Sequence, residues 1–203
     1  MRVAMMLYAG FQLLEASGPM EVFREANRLC GGAFYEPHFL GSSRGPVVCS
    51  NGAAVNTTDC LHEILTPFDI VMVPGSPVMD SARHHEELVS WLGHAGPHAG
   101  KLASVSNGVF LMARAGLADH RWVTTRERDA RRLADEHPLV NVLTGFACFK
   151  DGNLYSADGV SAGIHLALAL VREDLGEHAM GEVARVLPMR PGAARRSAGS
   201  HHA

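Results

Sequence analysis

The sequence predicts an α/β domain built on a mostly parallel sheet covered on both faces. Three observations predict it. Short continuous apolar runs recur at residues 2–8, 69–73 and 102–105, the pattern of strands buried on both sides. Stretches of helical periodicity lie between them, the alternation that a parallel sheet requires. The third is Leu102-Ala103-Ser104-Val105-Ser106-Asn107-Gly108-Val109-Phe110, where a strand runs through Ser106 and a small, flexible Asn107-Gly108 into a helical pattern. Such a nucleophile-elbow turn lifts one side chain out of the backbone, beside the N–H groups of a helix N-terminus.

The elements follow in order. With 203 residues, 47% of them hydrophobic, the chain can bury the core of one domain over residues 1–188. Residues 2–8 are the first strand. Gly18-Pro19 then opens a helix through Cys30, with Pro19 at a tolerated first-turn position. Met20, Val22, Phe23, Ala26 and Leu29 share a face there, and Gly31-Gly32 stops it. Residues 35–40 and 47–55 read as strands around a Gly/Pro turn. The strand at 69–73 ends in Pro74-Gly75-Ser76-Pro77, and a helix carrying Leu88, Val89, Trp91 and Leu92 leads to the strand before Ser106. Beyond the elbow come a helix to Ala115, a short strand at 122–124 and a charged helix from 126 to 136. Residues 146–150 and 154–157 pair as a hairpin around Asp151-Gly152-Asn153. A long apolar helix at 160–175 and a last helix at 177–187 complete the domain. Residues 189–203, rich in Pro, Gly, Ala, Arg, Ser and His, read as a disordered basic tail.

Charge and composition exclude several classes. A net charge of −3 and a pI near 6.4 give no pull toward nucleic acid or anionic membrane. Arg128, Arg131 and Arg132 are interleaved with Glu127, Asp129 and Asp135, which is a solvated face rather than a nucleic-acid site. The twelve histidines are scattered and none is in an H-E-x-x-H spacing, so no metal is expected. Cys30, Cys49, Cys60 and Cys148 form no C-x-x-C pair and read as reduced residues of a cytoplasmic protein. No run approaches the roughly 18 apolar residues that cross a bilayer.

In an open parallel sheet the ligand site lies beyond the carboxyl ends of the strands. The loops after Tyr8 and Val73 and the elbow at Ser106 all fall there. Leu14-Glu15-Ala16-Ser17-Gly18-Pro19-Met20-Glu21-Val22-Phe23 resembles the opening motif of the ThiJ/PfpI superfamily. Val73-Pro74-Gly75, Ser104-Val105-Ser106-Asn107-Gly108, Ala115-Gly116-Leu117, Thr124-Thr125 and Ser161-Ala162-Gly163-Ile164 follow in that superfamily's order. The likeness covers roughly residues 2–190 and rests on several motifs in register. It is nearest to the isonitrile hydratases and to the amidase-like N-terminal domains of AraC-family regulators. Arg190-Pro191-Gly192 resembles the linker that precedes the DNA-binding part of those regulators.

The resemblance implies a flavodoxin-like three-layer sandwich, a homodimer, and an elbow cysteine beside an acid from the first loop. Glu15 keeps the acid. The cysteine position holds Ser106, and the small hydroxyl residue after it is Asn107. Ser76 replaces the second glycine of the turn after Val73, Arg126 replaces a histidine after Thr124-Thr125, and His165 replaces an aspartate. A serine hydroxyl does not ionise without a base, so thiolate chemistry is not expected. His165 would activate Ser106 if it came within reach. Glu15, partly buried, would have a raised pKa and could move protons near neutral pH. Asn107 and Ser76 offer neutral donors to a polar substrate or developing oxyanion, with Gly75, Gly108 and Arg126 completing the candidate substrate-binding set.

The expected function is a cofactor-free enzyme on a small molecule, of hydratase, lyase or condensing and cyclising type. The alternative is a metabolite-sensing, non-catalytic domain of an AraC-type regulator. The C-terminus separates them: residues 191–203 leave no room for a helix-turn-helix, so this chain alone is not expected to bind nucleic acid. In a longer protein the sensor reading would gain.

Overall fold

Strand-forming runs and amphipathic helices alternate along the computed structural model, which describes residues 1–77, 79, 85–187 and the backbone of 196–198. The strands are β1 (Arg2–Met6), β2 (Glu36–Gly41), β3 (Gly45–Val48), β4 (Ala54–Thr57), β5 (Asp59–Cys60) and β6 (Ile70–Val73). They continue with β7 (Lys101–Val105), β8 (Trp122–Thr124), β9 (Asn141–Leu143), β10 (Phe146–Asp151), β11 (Leu154–Ala157) and β12 (Arg196–Ala198). The helices are α1 (Leu13–Cys30), α2 (Glu86–Ala95), α3 (Val109–Arg114), α4 (Glu127–Glu136) and α5 (Val160–Val186). Gly176, at φ 90° and ψ 169°, breaks α5 at the boundary that separates the two helices read from the sequence.

Eight strands form the central sheet in the order β12-β10-β11-β7-β6-β1-β2-β5. All neighbours are parallel except the β10–β11 hairpin. β3 and β4 form a separate antiparallel pair, and β8 and β9 a separate parallel one. From β1 the chain crosses to β2 on one side, and from β6 it crosses to β7 on the other. Right-handed crossovers therefore put α1 and α2 on opposite faces of the sheet. α1 packs along α5 and α2 along α3, giving three layers. The direction reverses between β1 and β6, so the crevice at their carboxyl ends is the topological switch point where such sheets bind ligands.

Two readings of the sequence change here. α1 begins at Leu13, so Gly18 and Pro19 lie inside the helix rather than opening it. A Cβ on Gly18 would stand 2.9 Å from Ile164 Cγ1, so this glycine lets α1 approach α5. That tertiary packing overrides the local breaker signal of Pro19. Residues 47–55 are not one strand but the turn of the β3–β4 hairpin with its flanks. Gly52 takes φ 87° there, and Cys49 Sγ donates to Asn51 Oδ1 and the Ala53 carbonyl. The tail expected at 189–203 lies outside the described residues apart from β12, which pairs with β10.

The elbow depends on one close approach. A Cβ on Gly108 would stand 2.3 Å from the Val73 carbonyl oxygen and 2.8 Å from that of Pro74. Those are backbone atoms at the end of β6 and in the turn that follows it, and they cannot step aside. Gly108→Ala is expected to cost about 3 kcal/mol, read as a lower urea midpoint at an unchanged m-value. An unchanged midpoint would contradict this account of the elbow.

Candidate active site

The site is assembled from three backbone turns at the carboxyl ends of β1, β6 and β7. Ser106 sits at φ 57°, the left-handed region that a non-glycine residue occupies only when its surroundings enforce it. A single 3-10 turn, Ser106–Gly108, then feeds α3. Ser106 is fully buried, and its carbonyl accepts a 2.9 Å bond from Thr125 Oγ1. Thr124 is tied in turn to Ser156 Oγ and to the Phe146 carbonyl, so the segment leading to Arg126 is anchored against the sheet. Ser106 Oγ itself has no hydrogen-bond partner.

Side chains lock the turns to one another. Asn107 Oδ1 accepts from the Ser76 N–H at 2.9 Å, and Asn107 Nδ2 donates to the Ser76 carbonyl at 2.8 Å. Ser76 Oγ donates to the Gly10 carbonyl at 2.6 Å. The Gln12 N–H donates to the Gly75 carbonyl at 2.8 Å, and the buried Tyr8 hydroxyl donates to the Pro74 carbonyl at 2.5 Å. Any side chain at position 75 would collide: its Cβ would lie 2.2 Å from Asn107 Oδ1 and 2.7 Å from Glu15 Oε2.

Glu15 lies at the centre of this scaffold, 1% exposed. Its Oε2 accepts a 2.7 Å bond from the Gly75 N–H. Burial raises the pKa of the carboxyl above its ordinary value, because desolvation disfavours the charged form. The Gly75 N–H, the positive charge of Arg126 and the nearby Ser106 hydroxyl oppose that shift, and Asp129 adds to it. The Ser106 hydroxyl acts here by proximity, since its oxygen lies outside hydrogen-bonding geometry. Tyr8 is also pushed up, by burial first and by Glu15 second.

Arg126 borders this carboxyl. Its Nε donates to Asp129 Oδ2 at 2.7 Å. One helical turn further on, Arg132 bonds the Met79 carbonyl and holds α4 against the turn after β6. The structure thus brings together Glu15, Gly75, Ser76, Ser106, Asn107, Gly108 and Arg126. It does not bring His165. Gly163 faces Val105 and Ile164 faces Gly18, which turns the next residue of the helix elsewhere. His165 lines a groove of about 310 Å³ with Cys148, Leu168, Arg172 and Met180, so it is not placed to activate Ser106. Cys148 in that groove is pushed up to about 12 by burial and is inert as a nucleophile. Asn107 and Ser76 are tied into the scaffold as well. Their side chains are engaged with backbone groups and shape the turn.

Three residues escaped the sequence reading. Tyr8 had a signal, since a tyrosine ending a buried strand needs a partner for its hydroxyl. Asp129 had one as well, three residues after Arg126 on a helix. His85 had none: it takes φ 80°, and its ring packs against that of Tyr8, tilted by 59° with centroids 4.6 Å apart. Among the described residues, no group of three or more His, Cys, Asp or Glu side chains is placed to hold a metal ion. No helix among them is long and apolar enough to cross a membrane.

A strained elbow and a buried acid in the first turn of α1, at the switch point of a parallel sheet, define a recognisable class of α/β protein. Residues 1–173 match the DJ-1/PfpI family, and the chain belongs to that family. It is 35% identical over 145 residues to an uncharacterised protein of Streptomyces lividans, covering 68% of this chain and 95% of the relative. It is 28% identical over 171 residues to the HTH-type transcriptional regulator CdhR of Pseudomonas aeruginosa, covering 84% and 50%. Against the isonitrile hydratase of Pseudomonas putida it is 23% identical over 180 residues, covering 86% and 73%. The chain thus spans about half the length of the regulators it matches. Among solved structures, a ThiJ/PfpI family protein from Pseudomonas syringae superposes with a TM-score of 0.81 at 21% identity, covering 94% of this chain and 76% of that one. An AraC family transcriptional regulator from Pseudomonas putida gives 0.79 at 22% identity, covering 92% and 98%. Both show the shared fold.

Two measurements check the site. Asn107→Ala removes the Asn107 acceptor from the buried Ser76 N–H and one of the donors to the Ser76 carbonyl, which keeps the Met79 N–H at 3.3 Å, at a cost of about 2 kcal/mol, seen in the urea midpoint. A change within error would mean that the clamp on Ser76 carries no stability. The second concerns pH. The folded pKa of Glu15 lies above its unfolded value, so its contribution is fully present below the unfolded value. That contribution is lost as pH rises through the folded one. Wild type should therefore lose stability relative to Glu15→Gln from acidic toward neutral pH, and parallel stability curves would contradict the shift.

Proposed function

We propose that this protein is a cofactor-free enzyme acting on a small organic molecule, with Glu15 as its general acid and base. The observation that carries this reading is the pairing of a buried, raised-pKa carboxyl with a buried hydroxyl that has no partner. A carboxyl that keeps its proton to higher pH can give it to a developing carbanion or heteroatom and take it back in the next step. Ser106 lies beside that carboxyl while His165 lines a separate groove, and its role is to hydrogen-bond the substrate. Hydration, elimination or ring closure suits this set, because each needs proton transfer and no covalent thiolate.

A second reading is favoured by the likeness to CdhR. In it the same site binds a metabolite without turnover, as the sensing domain of a regulator. One experiment separates the two. Compounds that raise the melting temperature of the wild type are incubated with it, and conversion is followed by mass spectrometry. The enzyme reading expects conversion by wild type, a drop of about 10²-fold or more in Glu15→Gln, and a folded variant. Undiminished conversion by Glu15→Gln would overturn the role of the acid. Stabilising compounds that wild type leaves intact would support the sensor.

A further inference from the structure

We propose that the molecule bound here carries a carboxylate, gripped by the guanidinium of Arg126 and the hydroxyl of Ser106, with its reacting end toward Glu15. The inference rests on the reading of the Glu15–Ser106 cluster as a ligand site and adds the chemical class of the ligand. Arg126 is placed by its neighbours. Thr125, one residue before it, donates to the Ser106 carbonyl, and α4, which begins one residue after it, is pinned to the turn after β6 through Arg132 and Met79. The guanidinium therefore stands between the elbow and that turn.

Asp129 holds Arg126 by its Nε. Among the described residues the hydrogen bond of this guanidinium is the one from Nε, and its two terminal nitrogens donate none. A guanidinium held by one edge, with terminal N–H groups that no described residue engages in a hydrogen bond, matches the two oxygens of a carboxylate. A lysine could offer only a point charge. Exposure follows the same logic. The Arg126 side chain is 18% exposed, whereas Ser106 and Glu15 beneath it are 0% and 1% exposed. An entering ligand meets the cation first and the proton donor last.

The unpartnered Ser106 hydroxyl is the second, independent sign. A buried polar atom left without a hydrogen bond costs free energy, and a carboxylate or carbonyl oxygen reaching past Arg126 would satisfy it. Charge coupling completes the argument. Arg126 lowers the pKa of both Glu15 and Tyr8, so its field reaches the acid. An anion seated on Arg126 would offset that field and help Glu15 keep its proton. Binding of the anion and retention of the proton favour each other, so affinity should fall as pH rises through the Glu15 pKa.

The test is amide NMR titration of the whole chain with propionate, using propionamide as its uncharged isostere. Propionate should move the Ser106, Asn107 and Gly108 amides, and propionamide should not. Arg126→Gln/Asp129→Asn removes the cation while keeping the local charge balance. It should weaken propionate by about tenfold or more, with urea midpoint and amide dispersion unchanged. Arg126→Lys should fall between the two. Glu15→Gln should still bind propionate, without the pH dependence of the wild type. Unmoved amides, equal binding by the double variant, or propionamide binding as tightly as propionate would each overturn the inference. None of these readouts needs turnover, so loss of the general-acid reading would leave this test standing.

Discussion

A carboxyl group kept out of water beside a backbone N–H is the arrangement on which the carboxyl end of this sheet depends. Glu15 is buried against the Gly75 amide. Burying the ionised form would cost several kcal/mol without full compensation, and the protein meets that demand by letting the carboxyl stay neutral to higher pH. The neighbours then follow. Position 75 has no room for a side chain, the turn after β6 must be held still, and the chain from β1 must return over it. Asn107, Ser76 and Tyr8 perform those tasks with four hydrogen bonds to backbone groups.

The serine at the elbow gives this geometry its chemical character. A thiol beside an acid and a helix N-terminus would ionise and become the reactive centre. A hydroxyl at the same strained position remains a donor and acceptor, and in the proposed function proton transfer falls to Glu15. Backbone strain at Ser106 is retained although no thiolate needs it, because Gly108 and the Val73–Pro74 backbone still require the sharp turn. The cation at position 126 then gains weight, since it is the charged group nearest to solvent in this cluster.

Which parts could be read from the sequence follows from how local their causes are. Buried strands, the elbow and the β10–β11 hairpin are written in runs of a few residues, and all stand where the pattern puts them. Ser106 is legible in the local elbow pattern, Glu15 and Arg126 through motif register, and the sheet topology brings them together. Pro19 was misread because the force that keeps it inside α1 comes from α5, well over a hundred residues away. His165 was misplaced because helical phase relative to Gly163 and Ile164 decides its direction, and that phase is set by packing on β7 and α1. The commitments of Asn107 and Ser76 were invisible for the same reason. A neutral polar side chain in a loop reads as a free donor until its partner in another loop is known.

The central claim is that Glu15 keeps its proton beyond the range of an ordinary carboxyl. Direct titration of the Glu15 side-chain carboxyl by ¹³C NMR in the folded wild-type chain tests it. The account predicts a midpoint clearly above that of an exposed glutamate, and a further rise when Arg126 is replaced by Gln. A midpoint at or below the ordinary glutamate value would contradict it, leaving Glu15 a charged structural residue and the site without its acid.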